Sequence, residues 1–196
     1  IYFIGSTDGW GSSDQKLALV NEETGTYTGF VYIADPNGAG FEFKFQRVQG
    51  KWEKAIDANT FVTFKGAAIG VKNGNLGVNA GEGVYYIDVN LSEGTITATK
   101  IESMGMVGGF QDPVWQQKTP LEMTWNAEEY CYEVTGAGIA DGVEWKFNTN
   151  HTWDISLGGT INKLEVNSQT NLKVAGNTVK LYPTRKTKDN IYCTVE

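Results

Sequence analysis

Short runs of apolar and β-branched residues follow one another along the chain, separated by turns that carry Gly or Asn. The segments 21–25, 35–40 and 79–83 are such turns. Regular spacing of this kind is typical of a β-sandwich and not of βαβ units. The apolar residues of the stretch 55–73 fit no single helical or strand period. The pattern predicts strands at Ile1–Gly5, Lys16–Val20, Thr26–Ile33, Gly40–Gln46, Val84–Leu91 and Thr95–Ile101.

The amino-acid composition favours the same all-β class. The 196 residues include 24 Gly but only 3 Met, and long segments rich in Ala, Leu and Glu are absent. Because Gly weakens helices and the scarce residues favour them, many short strands and turns are expected. The chain also has 6 Trp, more than the core of a small β domain usually needs, so some indoles are expected at the surface.

The sequence contains an internal repeat about one domain long. The segment Phe41–Phe45 (FEFKF) recurs 102 positions later as Val143–Phe147 (VEWKF). This period is far longer than that of a solenoid, so it predicts two tandem β-sandwich domains, residues 1–101 and 102–196. Further matches in the same order are Ile4-Gly5 with Val107-Gly108, Trp10 with Trp115, Leu17–Leu19 with Leu121–Met123, Trp52 with Trp153, and Asn75–Val78 with Asn171–Val174.

Strand parity assigns the two faces of the repeated segment. Its three Phe share one face, while Glu42 and Lys44 share the other. The aromatic face is expected in the core, which makes Trp145, at the position of Phe43, a packing residue. Lys44 and Lys146 then point outward at matching places. For a lysine alone, a solvated position on an open sheet face is the plain explanation.

Four tryptophans lie in or just after predicted polar loops, at matching places in the two copies. Such an indole either packs against the edge of the core or is held out as a flat surface. The recurrence of Trp, outward Lys and Trp in both copies favours a shared surface site, but conserved packing also explains it. The four residues are Trp10, Trp52, Trp115 and Trp153.

The ordered set of a small-residue strand end, a loop Trp, an aromatic-x-Lys-Phe strand and a trailing Trp resembles the glycogen-binding module of AMP-activated kinase β subunits. The tandem, with Val107-Gly108-Gly109-Phe110, Glu-x-Lys-Phe and Asn-Leu-x-Val, is similar to the SusE/SusF-type surface glycan-binding lipoproteins of Bacteroidetes over nearly the whole chain. This resemblance implies two tandem Ig-like β-sandwich carbohydrate-binding modules.

The resemblance also implies a function. It predicts a non-catalytic, monomeric protein without cofactors that holds α-glucan chains of the starch or malto-oligosaccharide type. It further implies an outer-membrane lipoprotein at the cell surface, beside other glycan-uptake proteins. The two copies are expected to differ in specificity, or one to be inactive, because 55–73 lengthens the first copy and Arg47 has no basic counterpart near Asn148. The carried-over sites are Trp10, Lys44 and Trp52, and then Trp115, Lys146 and Trp153.

The chemistry of sugars fits such a set. A pyranose ring has an apolar face of C–H groups and a fringe of hydroxyls. An indole offers a rigid flat surface to the C–H face, and a lysine ammonium donates hydrogen bonds to hydroxyls without needing a fixed fork.

Charge and residue counts exclude other classes. The net charge of −7 argues against non-specific binding of nucleic acid, which needs a surplus of Lys and Arg. One His and two Cys support neither a structural zinc site nor a His-based triad. The two thiols, Cys131 and Cys193, are expected to be small apolar residues on strands, although a bridge is open in an oxidising compartment.

Two other function classes stay open. A structural or adhesive Ig-like tandem fits the fold equally well and treats the tryptophans as packing. An enzyme fits least, because a glycosidase needs a pair of carboxylates in a cleft and the acids do not recur as a set. The roles of His151 and Trp125 are not decided by the sequence.

Overall fold

The computed structural model describes residues 1–38 and 40–196; Ala39, inside the predicted turn 35–40, lies outside the described residues. The protein is nearly all β, with 50% of residues in strands and 3% in helix, which confirms the predicted class. The chain divides into two compact units. Unit 1 comprises residues 1–100 and 184–187, and unit 2 comprises residues 101–183 and 188–196.

Unit 1 is built from two sheets. In chain order its strands are β1 (Tyr2–Gly5), β2 (Ala18–Asn21), β3 (Thr26–Ile33), β4 (Glu42–Gln46), β5 (Thr63–Lys65), β6 (Gly70–Lys72), β7 (Asn75–Gly77), β8 (Gly83–Asn90) and β9 (Thr95–Lys100), with short 3₁₀-helices at Ser6–Asp8 and Ala58–Thr60. One sheet has the order β1-β4-β7-β6 and the other β2-β3-β8-β9-β5. The six strands predicted for the first copy are confirmed, with ends shifted by at most two residues.

Both sheets of unit 1 contribute to one core. Phe3, Phe43 and Phe45 come from the first sheet, and Val31 and Ile87 from the second; all five are fully buried. The Phe3 and Phe43 rings stack at 5.3 Å between centroids. Two sheets that each bury one face in a common core form a sandwich-like architecture.

Unit 2 is built from eight strands in one continuous hydrogen-bonded order. They are β10 (Met104–Gly108), β11 (Leu121–Asn126), β12 (Cys131–Ile139), β13 (Trp145–Thr149), β14 (Thr152–Thr160), β15 (Lys163–Val166), β16 (Gly176–Tyr182) and β17 (Tyr192–Val195). The order is β15-β14-β13-β10-β11-β12-β16-β17. The first half of β11 pairs with β10 and its second half with β12. Lys16 and β2 repeat this path in unit 1 by pairing with β1 and then β3.

Close backbone approach explains why Gly recurs at the end of the first strand of each unit. A Cβ on Gly5 would lie 2.2 Å from the carbonyl oxygen of Glu42, and a Cβ on Gly108 would lie 2.5 Å from that of Glu144. Any side chain at either place would push β1 away from β4, or β10 away from β13. The small residue is therefore a packing requirement.

The recurrence of Glu and Asn also has a structural cause. The Nδ2 of Asn75 donates to Oε2 of Glu42 at 2.7 Å, and the Nδ2 of Asn171 donates to Oε2 of Glu144 at 2.9 Å. Each amide thus satisfies a carboxylate at the start of the lysine-bearing segment. The environments differ, because Glu42 is 6% exposed whereas the Glu144 side chain is 43% exposed.

Candidate functional site

The lysine-bearing strands have the faces that parity predicts. Phe43, Phe45, Trp145 and Phe147 are fully buried. The Nε1 of Trp145 donates to the carbonyl oxygen of Val174 at 3.1 Å. Trp145 is therefore confirmed as a packing residue. Lys44 and Lys146 lie on the opposite face of β4 and β13 and are partly exposed.

Trp10 and Trp115 occupy equivalent backbone positions. The amide of Trp10 donates to the carbonyl oxygen of Gly5 at 3.0 Å, and the amide of Trp115 donates to that of Gly108 at 3.1 Å. Both tryptophans have left-handed backbone angles, with φ of 62° and 59°. Bulky residues rarely adopt this conformation, which is strained by about 1–3 kcal/mol and concentrates at functional sites. Each loop holds its indole at a defined place beside the strand end.

The loop of Trp115 is held by one side chain. The Oε1 of Gln111 accepts hydrogen bonds from the amides of Gly108 and Gln116, and its Nε2 donates to the carbonyl oxygens of Gln116 and Thr119. A side-chain amide whose oxygen and nitrogen both hydrogen-bond to backbone groups of a loop holds that loop in one conformation. The loop therefore holds Trp115 at a fixed place beside the strand end.

In unit 1, two predicted site residues meet directly. The rings of Trp10 and Trp52 lie 6.4 Å apart between centroids, with an angle of 34° between their planes. Trp52 is 49% exposed and lies in an irregular segment. Gln49 links the two loops, since its Nε2 donates to the carbonyl oxygen of Ser13 and to Oδ1 of Asp14. The two indoles therefore form one angled aromatic surface, which we call the indole pair.

Lys44, the third residue predicted in unit 1, faces a carboxylate. Its Nζ lies 3.8 Å from Oδ2 of Asp57, and both side chains are about three-quarters buried. Asp57 is held in place because its Oδ1 accepts a hydrogen bond from the amide of Asn59 at 3.0 Å.

In unit 2, the structure brings all three predicted residues into one groove. Its volume is about 470 Å³, within the ~300–1,000 Å³ range of ligand pockets. Trp115, in the loop before β11, and Trp153, on β14, line it without a ring contact to each other, and Lys146 lies on β13. We call this concavity the unit 2 groove. Its lining residues are Trp115, Lys146, Trp153, Ser156, Asn167, Ser168, Gln169 and Asn171.

The sequence placed Trp153 in or just after a polar loop. In the structure it lies on β14. The pairing of β13 with β14 shifts between Asn148 and Thr149, so residues 153–155 form a bulge without matching partners. Bulges re-aim side chains, and Trp153 is 37% exposed although it belongs to a strand.

Lys146 is anchored in the groove by a carbonyl oxygen. Its Nζ donates to the backbone oxygen of Ser168 at 2.5 Å. Partial burial lowers the pKa of Lys146 below its ordinary value, because desolvation disfavours the charged form. An ammonium has three donors, and Ser168 takes one of them.

Sequence reasoning missed the polar side of the groove. Asn167 accepts from the amide of Ser156 at 3.0 Å and donates to the carbonyl oxygen of Asp154 at 3.1 Å, which fixes the turn after β15. Gln169 and Asn171 follow along the same rim. For Asn171 the signal was present, because it recurs as Asn75. The run 167–170 had none beyond its polarity.

Several other singled-out residues lie outside these sites. Trp125 packs against Tyr132 and Tyr130, with centroids 4.9 and 6.1 Å away. Nε2 of His151 lies 2.5 Å from Oε1 of Glu122 on β11. Cys131 and Cys193 are both buried and free, which confirms them as small apolar residues on strands.

Within residues 1–38 and 40–196, no cluster of three or more His, Cys, Asp or Glu is arranged to hold a metal ion. The described helices include none with the length and apolar character needed to cross a membrane.

Comparison with known proteins identifies no family. The sequence matches no protein-family model and no curated protein.

Proposed function

We propose that the protein binds carbohydrate without hydrolysing it, through one aromatic site in each unit, and that the units are Ig-like β-sandwich modules in tandem. The favoured ligand is an α-glucan of the starch or malto-oligosaccharide type. The observation that carries the proposal is the unit 2 groove, in which two separated indoles flank a lysine and a rim of amides and hydroxyls. This combination suits the apolar faces and hydroxyl fringe of a sugar chain.

The indole pair of unit 1 supports the same function in a different form. Two rings inclined at 34° offer adjacent flat surfaces to successive sugar rings of a curved chain. The two loop backbones are tied together by Gln49, so little conformational freedom is lost on binding. As an open and wet site, it should bind weakly, at about millimolar to tens of micromolar Kd.

A binding role without catalysis agrees with the composition of the groove. Glycoside hydrolysis uses two carboxylates about 5–10 Å apart, and the eight residues that line the unit 2 groove include no acid. Placement at the cell surface, a lipid anchor and other outer-membrane partners are proposed from the resemblance alone.

Titration with maltoheptaose and retention in starch-containing gels test the proposal. Trp153→Ala should abolish the contribution of unit 2, and Trp52→Ala that of unit 1, while both proteins stay folded because each ring is substantially exposed. Trp125→Phe is the matched control outside both sites and should bind as the unaltered chain does.

Failure of the intact chain to bind maltoheptaose, starch or any glycan on an array would contradict the proposal and favour a structural or adhesive tandem. Release of reducing sugar from a bound glucan would contradict the non-catalytic part alone.

A further inference from the structure

Cross-strand pairing shows which residues of the two units correspond beside the lysines. In each unit, the residue that follows the lysine on its strand pairs with a residue of a neighbouring segment. The next residue of that segment is Asp57 in unit 1 and Gly158 in unit 2. The corresponding pairs are Phe45 with Ile56 and Phe147 with Leu157.

In unit 1 this position provides a counter-charge. Asp57 lies 3.8 Å from the ammonium of Lys44 and is fixed by the amide of Asn59. A ligand that approaches Lys44 therefore meets a carboxylate at the same point. An anionic ligand would be repelled by Asp57 as much as it is attracted by Lys44.

In unit 2 the same position is closed to any side chain. A Cβ on Gly158 would lie 2.3 Å from the carbonyl oxygen of Thr170 and 3.1 Å from Cε of Lys146. The lysine passes over the glycine and reaches the carbonyl oxygen of Ser168. Its charged group therefore contacts a neutral carbonyl oxygen, and partial burial lowers its pKa.

The acids near the groove are engaged elsewhere. Glu144, two residues before Lys146, lies 2.7 Å from Nζ of Lys173 and accepts from Asn171. Asp154, next to Trp153, accepts a hydrogen bond from Oγ1 of Thr152 at 3.2 Å. Glu165, the pairing partner of Gly158 on β15, lies 3.3 Å from Nζ of Lys163. None of these three acids lines the groove. The groove thus holds one cation among neutral hydrogen-bonding groups.

We propose that the unit 2 groove accepts a sugar residue that carries a negative charge, such as a uronic acid, that the unit 1 site rejects it, and that Gly158 and Asp57 set this difference. The inference rests on the proposed carbohydrate-binding function. A carboxylate at C6 projects from the rim of a pyranose and leaves its C–H face free to stack on an indole. The two remaining donors of Lys146 suit its oxygens.

The test compares maltoheptaose with a maltoheptaose whose primary alcohols have been oxidised to carboxylates, by calorimetric titration of the full chain. Trp52→Ala leaves only the unit 2 site, and Trp153→Ala leaves only the unit 1 site. With Trp52→Ala, the carboxylated ligand should bind about fivefold tighter than the neutral one at low salt. At about 1 M NaCl this advantage should disappear.

Second substitutions identify the determinants. Added to Trp52→Ala, Lys146→Gln should remove the preference for the carboxylated ligand, whereas Lys146→Arg should keep it because the charge is retained. With Trp153→Ala, the neutral ligand alone should bind, and adding Asp57→Asn should admit the carboxylated one. Thermal unfolding checks that each variant is folded.

Two results overturn the inference while leaving the proposed function intact. One is binding of the neutral ligand to both sites with rejection of the carboxylated ligand by both. The other is a preference at the unit 2 site that persists in Lys146→Gln. Failure of both ligands to bind either single variant overturns this inference, and the glycan array on the intact chain then decides whether the proposed function falls with it.

Discussion

The proposed sites of the two units use the same three residue types but arrange them differently. In unit 1 the indoles contact each other and the lysine faces Asp57. In unit 2 the indoles stand apart across a groove, and the lysine bends over Gly158 to a backbone oxygen. A repeated motif therefore fixes the strand positions, while the neighbouring segments decide whether the result is an exposed surface or a concavity.

The largest expected effect separates packing from surface tryptophans. Trp145→Ala should destabilise unit 2 by about 3–5 kcal/mol, because a fully buried ring and its hydrogen bond are lost. Trp153→Ala should lower the stability far less, since its ring is 37% exposed. Urea unfolding of the two variants measures both. Equal losses would show that Trp153 is a core residue and would remove it from the site.

The second prediction concerns the Glu–Asn pairs. Glu42→Ala should destabilise unit 1 by about 2 kcal/mol, because the side-chain amides of Asn73 and Asn75 lose the oxygens of a buried carboxylate to which they donate. Glu144→Ala should have a smaller effect, since water can replace an exposed carboxylate. Unfolding curves of the two variants test this order. A larger loss of unfolding free energy for Glu144→Ala would mean that burial does not make the hydrogen bonds of Glu42 the more important of the two sets.

A third prediction uses the contact between the indoles. In unit 1, Trp10→Ala and Trp52→Ala should be coupled in their effects on maltoheptaose affinity, by about 0.5–1.5 kcal/mol, because each ring supports the other. In unit 2, Trp115→Ala and Trp153→Ala should be nearly additive. Double-mutant cycles, each with the other unit's site disabled, measure the coupling energies. Similar coupling in both units would contradict the geometric distinction.

The smallest expected effect depends on pH. Partial burial raises the pKa of Asp8, in the loop of Trp10, above its ordinary value of 3.8, although a hydrogen bond from Ser13 opposes this. The folded state then binds more protons than the unfolded state just above pH 4, so this carboxyl's contribution to stability falls as pH rises through that window.

Asp8→Asn should remove that dependence and stabilise unit 1 slightly at neutral pH. The difference between the unfolding free energies of the two proteins, followed from pH 4 to 7, gives the result. A gain for the variant that shrinks with rising pH would contradict the assigned direction.

Much of the fold could be predicted because it follows from local patterns. Alternation placed Lys44 and Lys146 on the outer face and Trp145 in the core, and turn residues bounded the strands. The strands β5 and β6 lie within residues 55–73, where the apolar residues have no regular spacing, so the sequence pattern did not indicate them. The exposed position of Trp153 depends on a bulge, which arises from pairing with β13 and not from its own sequence.

The polar half of the groove was beyond sequence reasoning for a related reason. Asn167 and Gln169 reach the site because β15 runs back along β14 and the chain after it pairs with β13 at Leu172. Asp57 meets Lys44 across a 13-residue separation. Contacts of this kind depend on how distant segments pack. The repeat predicted which strands would carry the sites, but not what would stand opposite them.

The most direct test is an NMR titration that follows the six indole N–H signals, each assigned by a Trp→Phe substitution, as maltoheptaose is added to the intact chain. The proposed sites predict that the signals of Trp10, Trp52, Trp115 and Trp153 move, while those of Trp125 and Trp145 stay in place. Movement of Trp125 or Trp145 without the other four, or no movement of any signal at millimolar ligand, would contradict the assignment of these aromatic sites as the place where the protein binds carbohydrate.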